Sequence, residues 1–271
     1  MNRRADVEEA LLRRAADLAG PRIPVPLDAL VANLGVRVER SRLSASHATL
    51  IDAGDGPIVV LPEREAGSAR DRFSLAHEVG HLILDQIVAT GGASVEAQAV
   101  EALCDKFASE LLLPTAAVRQ FLRGLSSQLA AFESVAFGTD AARKLAKEGG
   151  ASVQAACFAV SRAEGTMLFG CISWMGGRVG TKSASTEALR VKWSTWPSAL
   201  PRGLFPFKHI PSDGELSARY RQRAGFRGRV RLCLPPLPVR EYLVDFQPYD
   251  RDGKDYLLAI DLREDYGPRL P

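Results

Sequence analysis

The chain has 271 residues, of which 46% are hydrophobic and 25% charged, and its formal net charge is +3. These values are ordinary for a globular protein with enough chain to bury a sizeable apolar core. The absence of any run of about 18 apolar residues argues against a transmembrane helix. The N-terminus lacks an apolar signal core, and the four cysteines form no C-x-x-C pair. Both features favour a cytoplasmic protein with reduced thiols.

The first 61 residues are predicted to form two short helices and a small sheet. Asp6 can cap a helix over residues 6–18, and residues 26–34 form a second helix. Residues 36–39 alternate as a strand does, and residues 47–61 read as a hairpin with a glycine-rich turn. Which strand of this hairpin lies at the edge of the sheet is left open.

The strongest functional signal is the run H-E-V-G-H at residues 77–81, inside a predicted helix. His77 and His81 are four residues apart, so they lie one turn apart on the same helix face. Both imidazoles can therefore bind one zinc ion, while Glu78 can act as general base on a water that the metal activates. Chance produces this pattern in roughly one chain of this length in a hundred. The alternative is an amphipathic helix with two buried, hydrogen-bonded histidines.

A zinc hydrolase needs a third protein ligand and one open position for water. The helix predicted over residues 95–114 offers three glutamates. Glu101 is the preferred third ligand. Its helix face continues with Asp105 and Ala108, and small or acidic residues suit a face that packs beside a metal ion. Asp105, one turn further on, can hold a ligating imidazole by its second ring nitrogen. Glu96 suits the helix start through the dipole alone, and Glu110 reads as a solvated or capping carboxylate.

Two segments of this region carry a resemblance to a known family. Residues 70–81, R-D-R-F-S-L-A-H-E-V-G-H, are followed at residues 101–114 by E-A-L-C-D-K-F-A-S-E-L-L-L-P. This pair of helices resembles the ImmA/IrrE metallopeptidases, and the likeness covers about residues 1–125. The resemblance implies a soluble bacterial protease that cleaves a partner helix-turn-helix repressor of XRE type. Cleavage would switch on stress-response or mobile-element genes.

The resemblance also assigns roles to individual residues. It implies zinc ligands at His77, His81 and Glu101 and a catalytic base at Glu78. Asp105 stands where many members have asparagine, so its role as a support for an imidazole depends on helix geometry alone. One Zn²⁺ per chain is expected, although two histidines and a carboxylate also suit Mn²⁺ or Fe²⁺.

Two further residues near the motif have alternative interpretations. Cys104 follows Glu101 by three positions, so a thiolate site is an alternative on ligand spacing. His47, at the start of the hairpin, could donate to a developing oxyanion or to substrate. A lone histidine near a turn is more often simply solvated. His209, in the C-terminal half, is interpreted as structural.

Residues 115–165 are predicted to be helical throughout. The segment 145–156 has the helix, glycine turn and helix that are typical of a helix-turn-helix. Packing over the metal domain is the preferred interpretation, because the second helix offers few side chains that could read a DNA groove.

From residue 166 onward the pattern changes to strands separated by Gly and Pro. The predicted strands are residues 167–174, 189–194, 227–234, 239–246 and 256–262. The predicted fold class is therefore α+β, with a zincin-like metallopeptidase domain of helices and a small sheet. The predicted domains are the metallopeptidase domain at 1–125, a helical connector at 126–165, and a β-rich regulatory or recognition domain at 166–271.

Charge is distributed unevenly along the chain. Residues 178–240 hold 13 Lys and Arg against 3 Asp and Glu, a local charge of +10, so the remainder carries −7. Such asymmetry can mark an anionic partner, nucleic acid included, although a solvated sheet face explains it equally well. A DNA-binding or sensory regulator with a structural or vestigial metal site is therefore the alternative function. The densest part of the stretch consists of Arg219, Arg221 and Arg223.

Overall fold

The computed structural model describes residues 3–42, 48–54, 56–63, 66–91, 95–128, 134–178, 185–197, 200, 210–211, 214–232, 234, 237, 239–249 and 254–262. The chain divides into two compact units. Unit 1 comprises residues 1–121 and 144–159, and unit 2 comprises residues 122–143 and 160–271. Helices and strands both contribute, and the C-terminal part is rich in strands, which confirms the predicted α+β class.

Unit 1 begins with the two predicted helices, α1 (Arg3–Ala19) and α2 (Leu27–Asn33). Gly20 follows α1 with φ of 65°, and Gly35 follows α2 with φ of 71°. This left-handed conformation ends helices and costs glycine least. One face of α1 is buried at every fourth residue, at Val7, Leu11 and Ala15.

A three-stranded sheet follows, formed by β1 (Arg37–Ser41), β2 (Thr49–Asp52) and β3 (Pro57–Pro62). The strand order is β1-β3-β2, with β3 parallel to β1 and antiparallel to β2. The predicted hairpin is therefore present as β2 and β3. Val59 and Leu61 of β3 are fully buried, whereas β2 is mostly exposed. The sequence left the edge strand of this hairpin open, and the structure places β2 at the edge.

The helix that carries the H-E-V-G-H run is α3 (Ala69–Gly91). Ser68 precedes it, and its hydroxyl accepts a hydrogen bond from the Asp71 amide at 3.0 Å, as an N-cap does. The buried Asp71 carboxylate accepts hydrogen bonds from Nη1 and Nη2 of Arg40, at 2.8 and 2.9 Å. It also accepts the Gly67 amide at 3.0 Å. These contacts join the start of α3 to strand β1.

Helix α4 (Ala97–Leu112) packs antiparallel to α3. The closest approach is at Gly80, where a Cβ atom would lie 3.1 Å from Phe107 Cδ1 and 3.3 Å from Cys104 Cα. A side chain at position 80 would therefore push the two helices apart. Glycine inside the motif lets the α4 side chains reach the motif face of α3.

Three more helices follow, α5 (Thr115–Gln128), α6 (Ser134–Gly149) and α7 (Val153–Glu164). All three lie within residues 115–165, which the sequence predicts to be helical, and α6 and α7 lie in the predicted connector at 126–165. The division between the units falls within this region, because α6 passes from unit 2 into unit 1 at residue 144 and α7 returns to unit 2 after residue 159. Within the described part of the chain, no helix has the length and apolar character needed to cross a membrane.

Unit 2 is built on an antiparallel five-stranded sheet in the order β5-β4-β8-β7-β6. All five predicted strands are present, and their bounds shift by a few residues. They are β4 (Met167–Arg178), β5 (Ser185–Ser194), β6 (Phe226–Leu232), β7 (Arg240–Pro248) and β8 (Asp255–Asp261). The central strand β8 is buried from Tyr256 to Ile260, so both of its faces are covered.

A short helix that the sequence analysis missed, α8 (Glu215–Arg221), precedes β6. Leu216 of this helix is buried with the apolar side chains of one sheet face, among them Val230 and Leu232 of β6. On the other face, Gly138 of α6 approaches Met167, where a Cβ atom would lie 3.2 Å from the sulfur. The core of unit 2 therefore has two layers, one on each side of the sheet.

Candidate metal centre

Helix α3 presents the two histidines of the motif on one face. His77 and His81 are half-buried, and their Nε2 atoms lie 3.2 Å apart. The rings meet edge to face, with centroids 4.9 Å apart. Two ring nitrogens that point at one another at this distance are suited to share one cation, because each can offer it a lone pair.

Helix α4 adds a carboxylate at the same point. Glu101 Oε2 lies 3.3 Å from His77 Nε2, and Glu101 Oε1 lies 3.6 Å from His81 Nε2. Ligands at about 2.0–2.1 Å from a tetrahedral zinc ion are separated by about 3.3 Å from one another. The three side chains are therefore spaced as the protein ligands of one tetrahedral ion, and the donor set of two imidazoles and one carboxylate is one that zinc accepts.

The fourth predicted member of the site, Asp105, holds one of the imidazoles. Its Oδ1 lies 2.9 Å from His77 Nδ1. This hydrogen bond raises the pKa of His77, against the effect of burial, and the charges of Glu78 and Glu101 add to the increase. When Nδ1 carries the proton and donates it to Asp105, Nε2 keeps its lone pair. This lone pair faces His81 and Glu101.

Glu96 and Glu110, the two other glutamates of the predicted ligand helix, lie outside this group. Glu96 stands at the N-terminal boundary of α4. Glu110 is buried, and its carboxylate accepts hydrogen bonds from the Thr115 amide and hydroxyl, each at 2.8 Å. It therefore caps the start of α5, which was one of the interpretations open to it.

The structure places Cys104, the alternative ligand, outside the group formed by His77, His81 and Glu101. Cys104 is fully buried and packs against Gly80 of α3. Burial raises the pKa of its thiol to about 12, with smaller contributions from nearby carboxylates such as Glu101 and Asp105. A neutral, buried thiol is a poor metal ligand. The other described cysteines, Cys157 and Cys171, are also buried.

Glu78 lies on α3 between the two histidines and is half-buried. Its carboxylate is close enough to His77 to raise the pKa of that imidazole. Its assignment as the general base stays a prediction. His47 and His209 fall outside the described residues, as does Cys233.

The part of the chain that contains the clustered side chains also matches a protein-family model. Residues 31–161 match the model of the IrrE N-terminal-like domain, the M78 peptidase family. These residues, slightly under half of the chain, therefore contain a domain that resembles those of the ImmA/IrrE family. The match includes β1 to β3, the α3–α4 pair with its three clustered side chains, and the helices as far as α7. The family comprises metallopeptidases and regulators, and its members are typically zinc-dependent.

A comparison with solved structures concerns the fold of the chain. A Mycobacterium tuberculosis transcriptional regulator of known structure matches it with a TM-score of 0.51. The two are 15% identical, and the match covers 94% of this chain and 76% of that chain. At this identity the likeness establishes a shared fold alone. Among curated proteins, none matches the chain.

The arginines of the basic stretch have different surroundings in unit 2. Arg219 of α8 pairs with Glu215 at 2.7 Å and lies over the ring of Phe226. Arg221 is at the end of the same helix, and Arg223 follows it with φ of 52°. On β6 the arginines occupy alternate, exposed positions, as a solvated sheet face requires. These are Arg227, Arg229 and Arg231.

The segment that resembles a helix-turn-helix corresponds to the end of α6, a turn at Gly150, and α7. Helix α7 buries one face. Of its exposed positions, Phe158 cannot hydrogen-bond to a base edge, whereas Gln154 can. The buried residues of that face are Ala156, Cys157, Ala159 and Val160.

Proposed function

We propose that this chain is a zinc-dependent endopeptidase that cleaves a helix-turn-helix repressor of XRE type. Cleavage would switch on the stress-response or mobile-element genes that the repressor controls. The observation that carries the proposal is the convergence of His77, His81 and Glu101, whose ligand atoms are separated by 3.2 to 3.6 Å. The match of residues 31–161 to a metallopeptidase family model supports it independently.

His77, His81 and Glu101 would hold the zinc ion, and Asp105 would fix the imidazole of His77 by its 2.9 Å contact. A zinc ion with one open position supplies a Lewis acid that polarises a peptide carbonyl and lowers the pKa of a bound water. Glu101 leaves that position accessible, because its side chain is 70% exposed to solvent.

Glu78 would perform the proton transfers of peptide hydrolysis. It lies next to His77 in the chain, it is half-buried, and its charge acts on the His77 imidazole. As general base it accepts a proton from the attacking water, and as general acid it returns that proton to the leaving amine nitrogen. The water oxygen bonds to the carbonyl carbon and the peptide C–N bond then breaks. Both protons of the water end on the leaving nitrogen, so the products are a carboxylate and an ammonium group.

Strand β2 would bind the substrate backbone. It lies at the edge of the unit 1 sheet and is mostly exposed, so one side of its backbone can pair with an added strand. An extended loop of the repressor would pair with β2 residues such as Thr49 and Ile51. A flexible loop suits this mode better than a helix, because only extended backbone can complete the ladder.

Substitution of Glu78 by glutamine tests the proposal. Glu78→Gln keeps the size of the side chain and all three metal ligands, so the variant should bind zinc as wild type does. Without a base, proteolysis should fall by about a hundredfold to ten-thousandfold. The measurement is the rate at which fragments of the helix-turn-helix protein encoded beside this chain appear, followed by mass spectrometry.

A matched control is Glu9→Gln, which removes an exposed carboxylate that pairs with Arg13 on α1. This variant should cleave at the wild-type rate, and chelator should stop cleavage by both proteins. Cleavage by Glu78→Gln as fast as by wild type would show that Glu78 is not the base. Chelator-resistant cleavage, or no cleavage of the repressor by wild type with zinc bound, would contradict the proposed function.

A further inference from the structure

Unit 2 contains a cavity of about 490 Å³ that the metal centre does not involve. It lies beside β6, which is the last strand of the sheet and is paired on one side by β7. Pockets for small organic ligands usually have volumes of about 300–1,000 Å³. The cavity is therefore large enough for a metabolite-sized molecule.

The position of the cavity relative to β6 determines which protein groups a ligand inside it can contact. Four consecutive residues, 229–232, line the cavity. Side chains along a strand alternate between its two faces, so a space that touches four in a row runs along the open edge of the strand. Among the described strands β6 pairs with β7 alone, and backbone N–H and C=O groups at such a sheet edge can bind a ligand. The first turn of α8, with Gly214 and Leu216, closes the opposite side.

The described walls are apolar at depth and basic at the edge. Ile210, Leu216, Leu232 and Leu234 are each 4% exposed or less, and all four contribute to the lining. Arg229 and Arg231 are exposed on the same strand and line the cavity too. A site with both characters favours a molecule that has an apolar body and a charged end.

The charge balance at the cavity favours a negative end. The described lining includes two arginines and one acid, Glu215. The Glu215 carboxylate is already paired with Arg219, which lies outside the described lining, at 2.7 Å. Arg231 is exposed on β6, so a dissolved anion can reach its guanidinium. Guanidinium groups bind carboxylates, sulfonates and phosphates with paired, charge-assisted hydrogen bonds.

From these observations we infer that the cavity between α8 and β6 binds a small organic anion with an apolar body. The apolar body would contact Leu216 and Leu232, and the anionic group would bind Arg231 and Arg229 at the mouth. An added peptide strand fits less well, because the start of α8 lines the same cavity as β6 and limits its width. The site is independent of zinc, so its test does not depend on the proposed proteolysis.

Two fluorescent probes of the same shape test this inference on the full-length protein. 8-Anilino-1-naphthalenesulfonate has an apolar aromatic body with one sulfonate, and N-phenyl-1-naphthylamine has the same body without it. The sulfonate probe should bind at one site per chain. Arg231→Gln should weaken its binding about tenfold, since a charge-assisted contact is lost. The same variant should change binding of the neutral probe by less than about twofold.

Three further variants separate the cavity from its surroundings. Arg231→Lys keeps the charge and should restore most of the binding. Arg223→Gln removes the same charge from an exposed position outside the described lining, and should leave both probes unaffected. Val239 lines the cavity and is 56% exposed, so Val239→Trp should narrow the mouth and weaken both probes without disturbing the fold.

Several results would overturn the inference. Unchanged sulfonate binding in both Arg231→Gln and Val239→Trp would place the probe elsewhere. Equal losses in Arg231→Gln and Arg223→Gln would indicate attraction to the whole basic stretch rather than to a site. Displacement of the probe by duplex DNA, with DNA binding lost when Arg219, Arg221 and Arg223 are replaced, would show a nucleic-acid surface instead.

Discussion

Asp105 orients the imidazole ring of His77 toward a metal ion. The 2.9 Å contact from Asp105 Oδ1 to His77 Nδ1 fixes the ring orientation and leaves Nε2 for the cation. The carboxylate also raises the pKa of His77, which corresponds to a more electron-rich and therefore better metal ligand. A residue that contacts no substrate can in this way determine how tightly the site holds its ion.

Replacement of Asp105 should therefore weaken zinc binding. Asp105→Ala removes the acceptor, and we expect zinc affinity to fall about tenfold to a hundredfold, as measured by competition with a chromophoric chelator. Asp105→Asn keeps a carbonyl oxygen at the same place, so its loss should be smaller. Equal zinc affinity in wild type and Asp105→Ala would show that this hydrogen bond does not support the site.

At the scale of single residues, helical periodicity was sufficient to find most of the candidate site. His77 and His81 converge because four residues make about one turn, and Glu101 precedes Asp105 by the same interval. The burial of Cys104 was harder to foresee, because its position on the face against α3 depends on how α4 is rotated. That rotation is set by the close approach at Gly80, which local sequence does not reveal.

The contact between α3 and α4 is the element that brings the histidines and Glu101 together. Gly80→Ala would place a Cβ atom 3.1 Å from buried Phe107 and 3.3 Å from the Cys104 backbone. We expect this variant to lower both the melting temperature and the zinc affinity, although alanine is the better helix former. Thermal unfolding by circular dichroism and zinc titration would measure the two effects.

Gly124 provides the matched comparison. It lies in α5, and a Cβ atom there would meet no heavy atom within 4 Å. Gly124→Ala should therefore stabilise the protein by up to about 1 kcal/mol through helix propensity. If Gly80→Ala stabilises the protein as Gly124→Ala does, the two helices are not held at their closest approach by that glycine.

The junction between β1 and α3 should make the protein sensitive to acid. Burial alone would raise the pKa of Asp71, but hydrogen bonds from Arg40 and the Gly67 amide outweigh it, so this pKa lies below the ordinary value of 3.8. A lowered pKa in the folded state adds stability above that value, and the stability is lost as pH falls through the lowered pKa. Asp71→Asn should lose about 1–3 kcal/mol of unfolding free energy at neutral pH.

Unfolding measured as a function of pH checks this expectation. The difference between wild type and Asp71→Asn should be constant near neutral pH and should shrink below about pH 4. A difference that stays the same down to the acid limit would mean that the charge of Asp71 contributes nothing.

Among whole elements, those with a clear local pattern were predicted and the others were missed. Helices α1 to α4 have apolar stripes and end signals, and the β2–β3 hairpin has its glycine turn. Helix α8 spans seven residues, too few for a clear period, although the i,i+4 pair of Glu215 and Arg219 was a usable signal. The parallel pairing of β1 with β3 was missed, because the local sequence of a strand does not show which distant strand it pairs with.

At the scale of the whole molecule, the two compact units differ in what the sequence could reveal. The strands of unit 2 were predicted, but their order β5-β4-β8-β7-β6 was not, since pairing between β4 and β8 joins segments far apart in the chain. Asp245 illustrates the same point. It is fully buried and accepts hydrogen bonds from Thr139, Arg227 and Gln247, a network that only the folded unit 2 displays.

The proposed enzyme depends on one property of unit 1, a mononuclear site made by two helices with one position open. Structural zinc sites are closed by four protein ligands, whereas catalytic sites have three. The number of protein ligands therefore separates a peptidase from a regulator with a structural metal.

The most direct measurement is a crystal structure of the zinc-loaded protein with anomalous diffraction at the zinc edge. We expect one zinc ion at about 2.0–2.2 Å from His77 Nε2, His81 Nε2 and a Glu101 carboxylate oxygen, with water completing the coordination. A fourth protein ligand in place of the water, or a zinc ion bound away from Glu101, would contradict the assignment of this site as a catalytic centre.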